Sequence, residues 1–145
     1  MSELTPSIWI EARPSTGLKF LIGGFYREWN HCGDKSTEGQ VQRIKIITDQ
    51  ISAACSECER VIVVGDINLC CDSWDLGDYR HRRIAEVLKE TLTTNNLEVQ
   101  KFGSTYFADH PNENGEYATS PLDHAYTSEK CEIMEAKRLE NSSTD

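Results

Sequence analysis

The sequence predicts one small α/β domain of mixed layers, and three observations predict it. Residues 7–26 hold two strand-like stretches on either side of a Pro–Gly turn. Two longer stretches repeat their apolar residues at helical spacing. Between them lies "VIVV", Val61 to Val64, four β-branched residues in a row. The predicted order is β-β-α-β-α-β-β-β.

Each element has its own signal. "SIWIEA" (Ser7 to Ala12) alternates apolar and polar residues with the period of a half-buried strand. Pro14-Ser15-Thr16-Gly17 marks a turn, and "LKFLIGGFY" (Leu18 to Tyr26) returns as the second strand of an antiparallel hairpin. "REWNHCGDKS" is a polar loop. From Thr37 to Glu59 the apolar positions Val41, Ile44, Ile47, Ile51, Ala54, Cys55 and Cys58 form a helical stripe, with Ser36 or Thr37 as its cap. "RVIVVGD" then reads as a strand buried on both faces, too apolar to have a wet one. "INLCCDSWDLGD" is a loop, and Tyr79 to Asn95 is a second helix with Ile84, Val87, Leu88 and Leu92 on one side. "LEVQ", "STYFA" and "ATSPLDHAYTS" are short strands, the last two joined by the turn "DHPNENGE". "CEIMEAKRLE" is expected to be a final strand. A chain that opens on an edge hairpin and closes just after a strand reads as a piece of a larger domain.

Composition narrows the function classes. The 145 residues suit one domain, and 38% hydrophobic with 27% charged residues is globular rather than disordered composition. No apolar run reaches membrane-spanning length, and "MSELTPSIWIEARP" lacks the pattern of a secretory signal. A nuclear or cytoplasmic, non-secreted protein is the expectation. A net charge of −9 argues against a plain electrostatic nucleic-acid binder, though clustered carboxylates can hold a cation that meets a phosphate. The six cysteines read as free thiols; Cys55-Ser56-Glu57-Cys58 has CxxC spacing, but no second CxxC or His pair accompanies it to complete a zinc site. Cys70 and Cys71 are expected to be ordinary thiols as well, neighbours whose side chains would point apart.

Two stretches carry chemistry. In "VIVVGDIN" a buried strand runs into Asp66 and Asn68, which face the same way if the chain stays extended. The acid can take a proton from water or hold a metal, and the amide can donate to a phosphate oxygen. The same residues also make an ordinary strand-end turn with Asn68 as a local cap. In "SPLDHAYTS" Asp123 interrupts a strand-like segment, as an acid that orients a catalytic His would, or as an acid that closes the turn begun at Ser120-Pro121. His124 is adjacent, so on a strand it faces away from Asp123 and is not its partner. Trp29, Trp74 and Tyr79 are read as packing residues rather than base-stacking ones.

Taken together, "FYRE", "VVGDIN", "STYF", "SPLDHAYTS" and the terminal "SSTD" resemble the endonuclease/exonuclease/phosphatase superfamily, and within it the apurinic-type endonuclease domains of non-LTR retrotransposons. The resemblance runs from Ile8 to Asp145. It implies an α/β/β/α four-layer sandwich with mixed, mainly antiparallel sheets, of which residues 1–145 supply part. It also implies Mg²⁺-dependent (or Mn²⁺-dependent) phosphodiester hydrolysis, DNA as substrate of the intact domain, and fusion to a reverse transcriptase in a longer chain. By the resemblance Tyr26 contacts phosphate or relays a proton, and Asp66 activates water or ligates metal. Asn68 stabilises the transferring phosphate, Thr105 lies near substrate, and Asp123 orients the catalytic His. Asp145, after Thr144, resembles the acid of the closing S-D-H motif. The expected metal ligands in this chain are Asp66, Asn68 and Asp145.

Three parts of the family's pattern are not matched here: an Asn and a metal-binding Glu on the first strands, and the catalytic His directly after Asp145. The chain by itself is therefore expected to be an inactive fragment. The alternatives are a phosphatase or phospholipase of the same fold, whose substrate is set by the loops at Asn30–Ser36 and Leu69–Asp78, and a non-catalytic interaction module.

Overall fold

The computed structural model describes residues 6–27, 36–69, 79–133, 135–137 and 139. A hairpin begins it. Strand β1 (Ser7–Ala12) pairs antiparallel with β2 (Phe20–Tyr26). The turn between them is closed by Gly17, whose N–H donates to the Pro14 carbonyl at 2.9 Å from a left-handed backbone (φ 80°) that a side chain would strain.

Helix α1 (Thr37–Glu57) starts where Ser36 caps it, its hydroxyl accepting from the Gly39 N–H at 3.1 Å. Its buried stripe runs Val41, Ile44, Ile47, Ile51, Ala54, three and four residues apart. The helix stops two residues before the expected end, because Cys58 turns to extended backbone and caps it by donating to the Ala54 carbonyl. Strand β3 (Val61–Asp66) then lies parallel to β2, which a helical crossover allows and a tight turn does not. Helix α2 (Tyr79–Thr94) packs on α1 through Ile84, Ala85, Leu88 and Leu92. Asn96 closes it in a left-handed conformation (φ 54°), a role Asn fills when Gly does not.

Strand β4 (Leu97–Val99), the short pair β5 (Tyr106–Phe107) and β6 (Thr119–Ser120), and β7 (Asp123–Ser128) complete the fold. The main sheet has the order β1-β2-β3-β7-β4, and β5 pairs with β6 apart from it. Three of its four pairings are antiparallel, as expected. "ATSPLDHAYTS" makes two strands rather than one, since Pro121 lacks the N–H that a ladder needs. "STYFA" pairs over two residues only. The expected final strand is not found: among its described residues, none is in a strand.

Both helices lie on one face of the sheet. There Leu21, Phe25, Val61, Val63 and Tyr126 meet the helix stripes in a single core. Trp9 roofs the edge of this core, edge-on to Phe25 with ring centroids 5.6 Å apart, its indole N–H donating to Gln50. The other face is open among the described residues, which corrects the expectation that β3 is covered on both sides. Val64 is 43% exposed and Ile8 67%, although the run of β-branched residues would suit full burial. Strand alternation sends Ile62, Val64 and Asp66 to the open side and Val61, Val63 and Gly65 to the helices.

Gly65 has a packing reason. A Cβ built there would stand 2.1 Å from the Phe25 carbonyl oxygen, so β2 and β3 could not keep their register with any side chain at this place. Gly65→Ala is expected to destabilise the fold by about 2–3 kcal/mol. A urea titration reads this as a lower midpoint at unchanged slope.

Candidate active site

Three strands end together on the open face. The register sets Tyr26 beside Asp66 and Asp66 beside Asp123, one residue from each of β2, β3 and β7 in a row across the sheet. Residues paired across strands share a face, so the phenol and the two carboxylates project to the same side. Tyr26 is 43% exposed, and both acids are half-buried. A cleft of about 600 Å³ opens over the two acids of the row, lined also by Val64, Ala125 and Phe102 and by the charged Glu135 and Lys137.

Asn68 reaches the site by a different route from the one the spacing suggested. The strand ends at Asp66, and Asn68 takes a left-handed backbone (φ 54°), so simple alternation does not align the two side chains. A tight turn brings the residue close instead: the Asn68 backbone N–H donates to Asp66 Oδ1 at 3.1 Å. The side-chain amide donates to the Arg27 carbonyl at 2.7 Å. Asn tolerates this backbone better than most residues, and its short amide can bond locally, which is a physical reason for an amide at this place.

Arg27 fixes the turn from beneath. It has 0% exposure, and its guanidinium donates to the carbonyls of Ile67 and Asn68 and to Gln40 Oε1 of α1. Its own N–H donates to the Asp66 carbonyl at 2.8 Å. Arg presents a planar fork of donors, which suits two carbonyls and an amide at once where Lys would not. The motif "FYRE" contains Arg27, but sequence reasoning gave it no role. An ionised side chain directly after an apolar strand was the available signal.

Thr105 supports Asp123. Its hydroxyl accepts the Asp123 N–H at 3.1 Å, and on the other side of that residue the Leu122 carbonyl accepts from Ile67 N–H at 3.1 Å. Thr105 thus acts on the backbone of β7 at the head of the row. Of the expected site residues, Tyr26, Asp66, Asn68, Thr105 and Asp123 come together here. Asp145 lies outside the described residues, as do Trp29, Trp74 and most of the two loops expected to set substrate.

His124 points the other way, as adjacency on a strand requires. It is 3% exposed on the helix side. The Leu69 carbonyl can only accept, so Nε2 carries the proton, and Nδ1 accepts from the Tyr126 hydroxyl. Burial holds its pKa below the ordinary 6.5, against the Leu69 hydrogen bond and the Asp123 charge, which raise it. The imidazole is a neutral strut between β7 and the chain after β3.

No helix among the described residues is long and apolar enough to cross a membrane. No protein-family model matches the sequence, and no curated protein matches it significantly. Solved structures do match. One is an endonuclease/exonuclease/phosphatase family protein from Bacteroides thetaiotaomicron, with TM-score 0.52 and 12% identity over 86% of this chain and 41% of that one. Another is beta toxin from Staphylococcus aureus, with TM-score 0.50 and 14% identity over 86% of this chain and 43% of that one. The likeness is one of fold. This chain spans about two fifths of the length of each neighbour.

The state of His124 gives a pH dependence with a definite sign. Its folded pKa is depressed, so its share of stability is complete above about pH 6.5 and is lost as pH falls through the lower folded value. Urea midpoints are expected to drop on going below pH 6.5. His124→Gln, which removes the titrating group, is expected to flatten that part of the profile.

Proposed function

We propose that this chain carries part of the active site of a metal-dependent phosphodiester hydrolase of the endonuclease/exonuclease/phosphatase type, acting on nucleic acid. The observation that carries the reading is the row Tyr26–Asp66–Asp123, with the Asn68 backbone N–H on the Asp66 carboxylate. A phenol and two carboxylates at three adjacent strand ends form a polar row beside the apolar side chains of Val64 and Ala125 on the same face. The likeness in fold to an endonuclease/exonuclease/phosphatase protein supports it.

The donor set fits a hard divalent cation in part. Carboxylate and amide oxygens suit Mg²⁺ or Mn²⁺, and Mg²⁺ keeps several waters and needs few protein ligands. No group of three or more His, Cys, Asp or Glu side chains able to hold a metal occurs among the described residues. Asp66 would hold the ion with Asn68 beside it, and the reading calls for further ligands, Asp145 among them. When bound, the ion would neutralise charge on a phosphate oxygen.

The chain's own groups then have distinct tasks. The Asn68 amide, held by the Arg27 carbonyl, can donate its remaining hydrogen to a phosphate oxygen as charge builds there. Tyr26, at the outer end of the row, can donate to another. Asp123 accepts and orients a histidine proton, for which the buried His124 is no candidate because it faces the helices. The reading thus requires a histidine from elsewhere, together with a glutamate ligand. A second sheet laid on Ile8, Ile10, Ile22, Ile62 and Val64 would bring them and complete a four-layer sandwich, about 10 Å between sheets. On this reading the retrotransposon type, with a reverse transcriptase in the same polypeptide, is the finer assignment.

The test is plasmid nicking with Mg²⁺ by residues 1–145 alone and by a form extended with flanking coding sequence at both ends. The extended form is expected to nick and residues 1–145 alone are not. Asp66→Ala and Asp123→Asn in the extended form are each expected to lower the rate by roughly 10²–10⁴-fold. Nicking that survives both substitutions would sink the assignment. A folded extended form without nuclease activity would turn attention to phosphoinositides and to a purely binding role.

A further inference from the structure

Away from the cleft, a pair of thiols remains that the proposed hydrolysis does not use. Cys55 lies in the last turn of α1 and Cys58 is its cap, three residues on. Both are free and half-buried, and both line one small cleft of about 200 Å³ with Asn95, Asn96, Glu129 and Lys130. The third described cysteine, Cys131, is buried, and its thiol faces the Val61 carbonyl and the Ser128 hydroxyl.

We propose that Cys55 and Cys58 are a redox pair that closes to an intrachain disulfide by exchange with a small disulfide such as oxidised glutathione. Residues three apart within a helix have Cβ atoms about 5–6 Å apart, and a disulfide needs roughly 3.5–4.5 Å. The difference is small, and Cys58, already out of the helix on extended backbone, is the residue able to move. The shared opening to solvent gives the oxidant access to both sulfurs.

The exchange balances in two steps. One thiolate of the pair attacks a glutathione sulfur, forming a mixed disulfide and releasing one glutathione thiolate, which takes up the proton. The second thiolate attacks the protein sulfur of that mixed disulfide, forming the Cys55–Cys58 bond and releasing the second glutathione. Two electrons pass from the two cysteine sulfurs to the glutathione disulfide.

The surroundings favour the closed form once it is made. Burial first, and then Cys58 beside it, push the Cys55 thiol above its ordinary range. The pair also sits at the negative end of the α1 dipole, and no basic residue lies in the last turn of the helix. Pairs whose thiolates are stabilised are strong oxidants, and this one has the opposite setting. Closing it also has a structural reach. The Cys58 thiol has the carbonyls of Lys19 and Arg60 both at 3.4 Å, just ahead of β2 and β3, and shares its single hydrogen between them. A disulfide has no hydrogen to donate, so oxidation releases both carbonyls.

The experiment incubates the native chain with mixtures of reduced and oxidised glutathione, quenches with acid and an alkylating agent, and maps cysteines by mass spectrometry. The expected product has Cys55 and Cys58 joined in one peptide, lighter by two hydrogens and closed to alkylation, while Cys131 is still alkylated after denaturation. At equal glutathione ratio the joined fraction is expected to be several-fold larger in the native chain than in urea, because the helix end holds the two sulfurs near each other. Cys131→Ser should leave that fraction unchanged. Cys58→Ser should leave Cys55 as thiol or as its glutathione adduct. Cys55 and Cys58 both alkylated at equilibrium, Cys55 joined to a different cysteine, or a joined fraction no larger than in urea would each overturn the proposal.

Discussion

A guanidinium sealed from solvent holds the site end of this fold together. Arg27 follows β2 directly and reaches the two carbonyls after β3 and the first turns of α1. Three elements that are distant in sequence are thereby fixed at one point. A buried cation that lost these acceptors would leave several polar groups without partners, at a cost of roughly 1–3 kcal/mol each. The arrangement is therefore close to all-or-none. Either the β2 and β3 ends lie level, with Asn68 turned in, or the interior of this corner comes apart.

The level ends matter because chemistry follows from register. A slip of one residue would send Asp66 to the helix side, into a core of Val61, Val63 and Leu21, where a carboxylate has no place. Apolar packing on the covered face thus specifies which polar groups reach the open one. Gly65 adds a steric lock at the same strand end, and His124 a polar strut directly behind Asp123. The face that carries the acids is the one with exposed Ile8, Ile10 and Val64, so the surface that a further layer would cover and the surface that holds the site are continuous.

Most of the elements were legible in the sequence because their periods are strong. The α1 stripe from Val41 to Ala54 repeats at three and four residues over the whole helix, and the hairpin has both alternation and a Pro–Gly turn. What was not legible depended on tertiary context. "VIVV" looks the same whether one face or two are covered, since composition records the potential for burial and not the presence of a neighbour. "CEIMEAKRLE" alternates well enough for a strand, yet none of its described residues joins an edge of the sheet. In the site, Tyr26, Asp66 and Asp123 could be named from motifs, but their common row comes from the pairing of β2, β3 and β7. Asn68 follows β3 in a turn rather than in the extended alignment that its spacing from Asp66 suggests, because its side chain bonds the Arg27 carbonyl, which no local spacing reveals.

The most direct measurement on the central claim is Mn²⁺ titration of the isotopically labelled chain, followed by NMR line broadening residue by residue. It detects weak binding and needs no turnover. If the strand-end row is a metal and phosphate site, broadening centres on Asp66, Asn68 and Asp123 and disappears in Asp66→Ala, with the remaining spectrum unchanged. Broadening centred instead on the surface acids, such as Glu129 or Glu132, and insensitive to Asp66→Ala, would contradict the assignment.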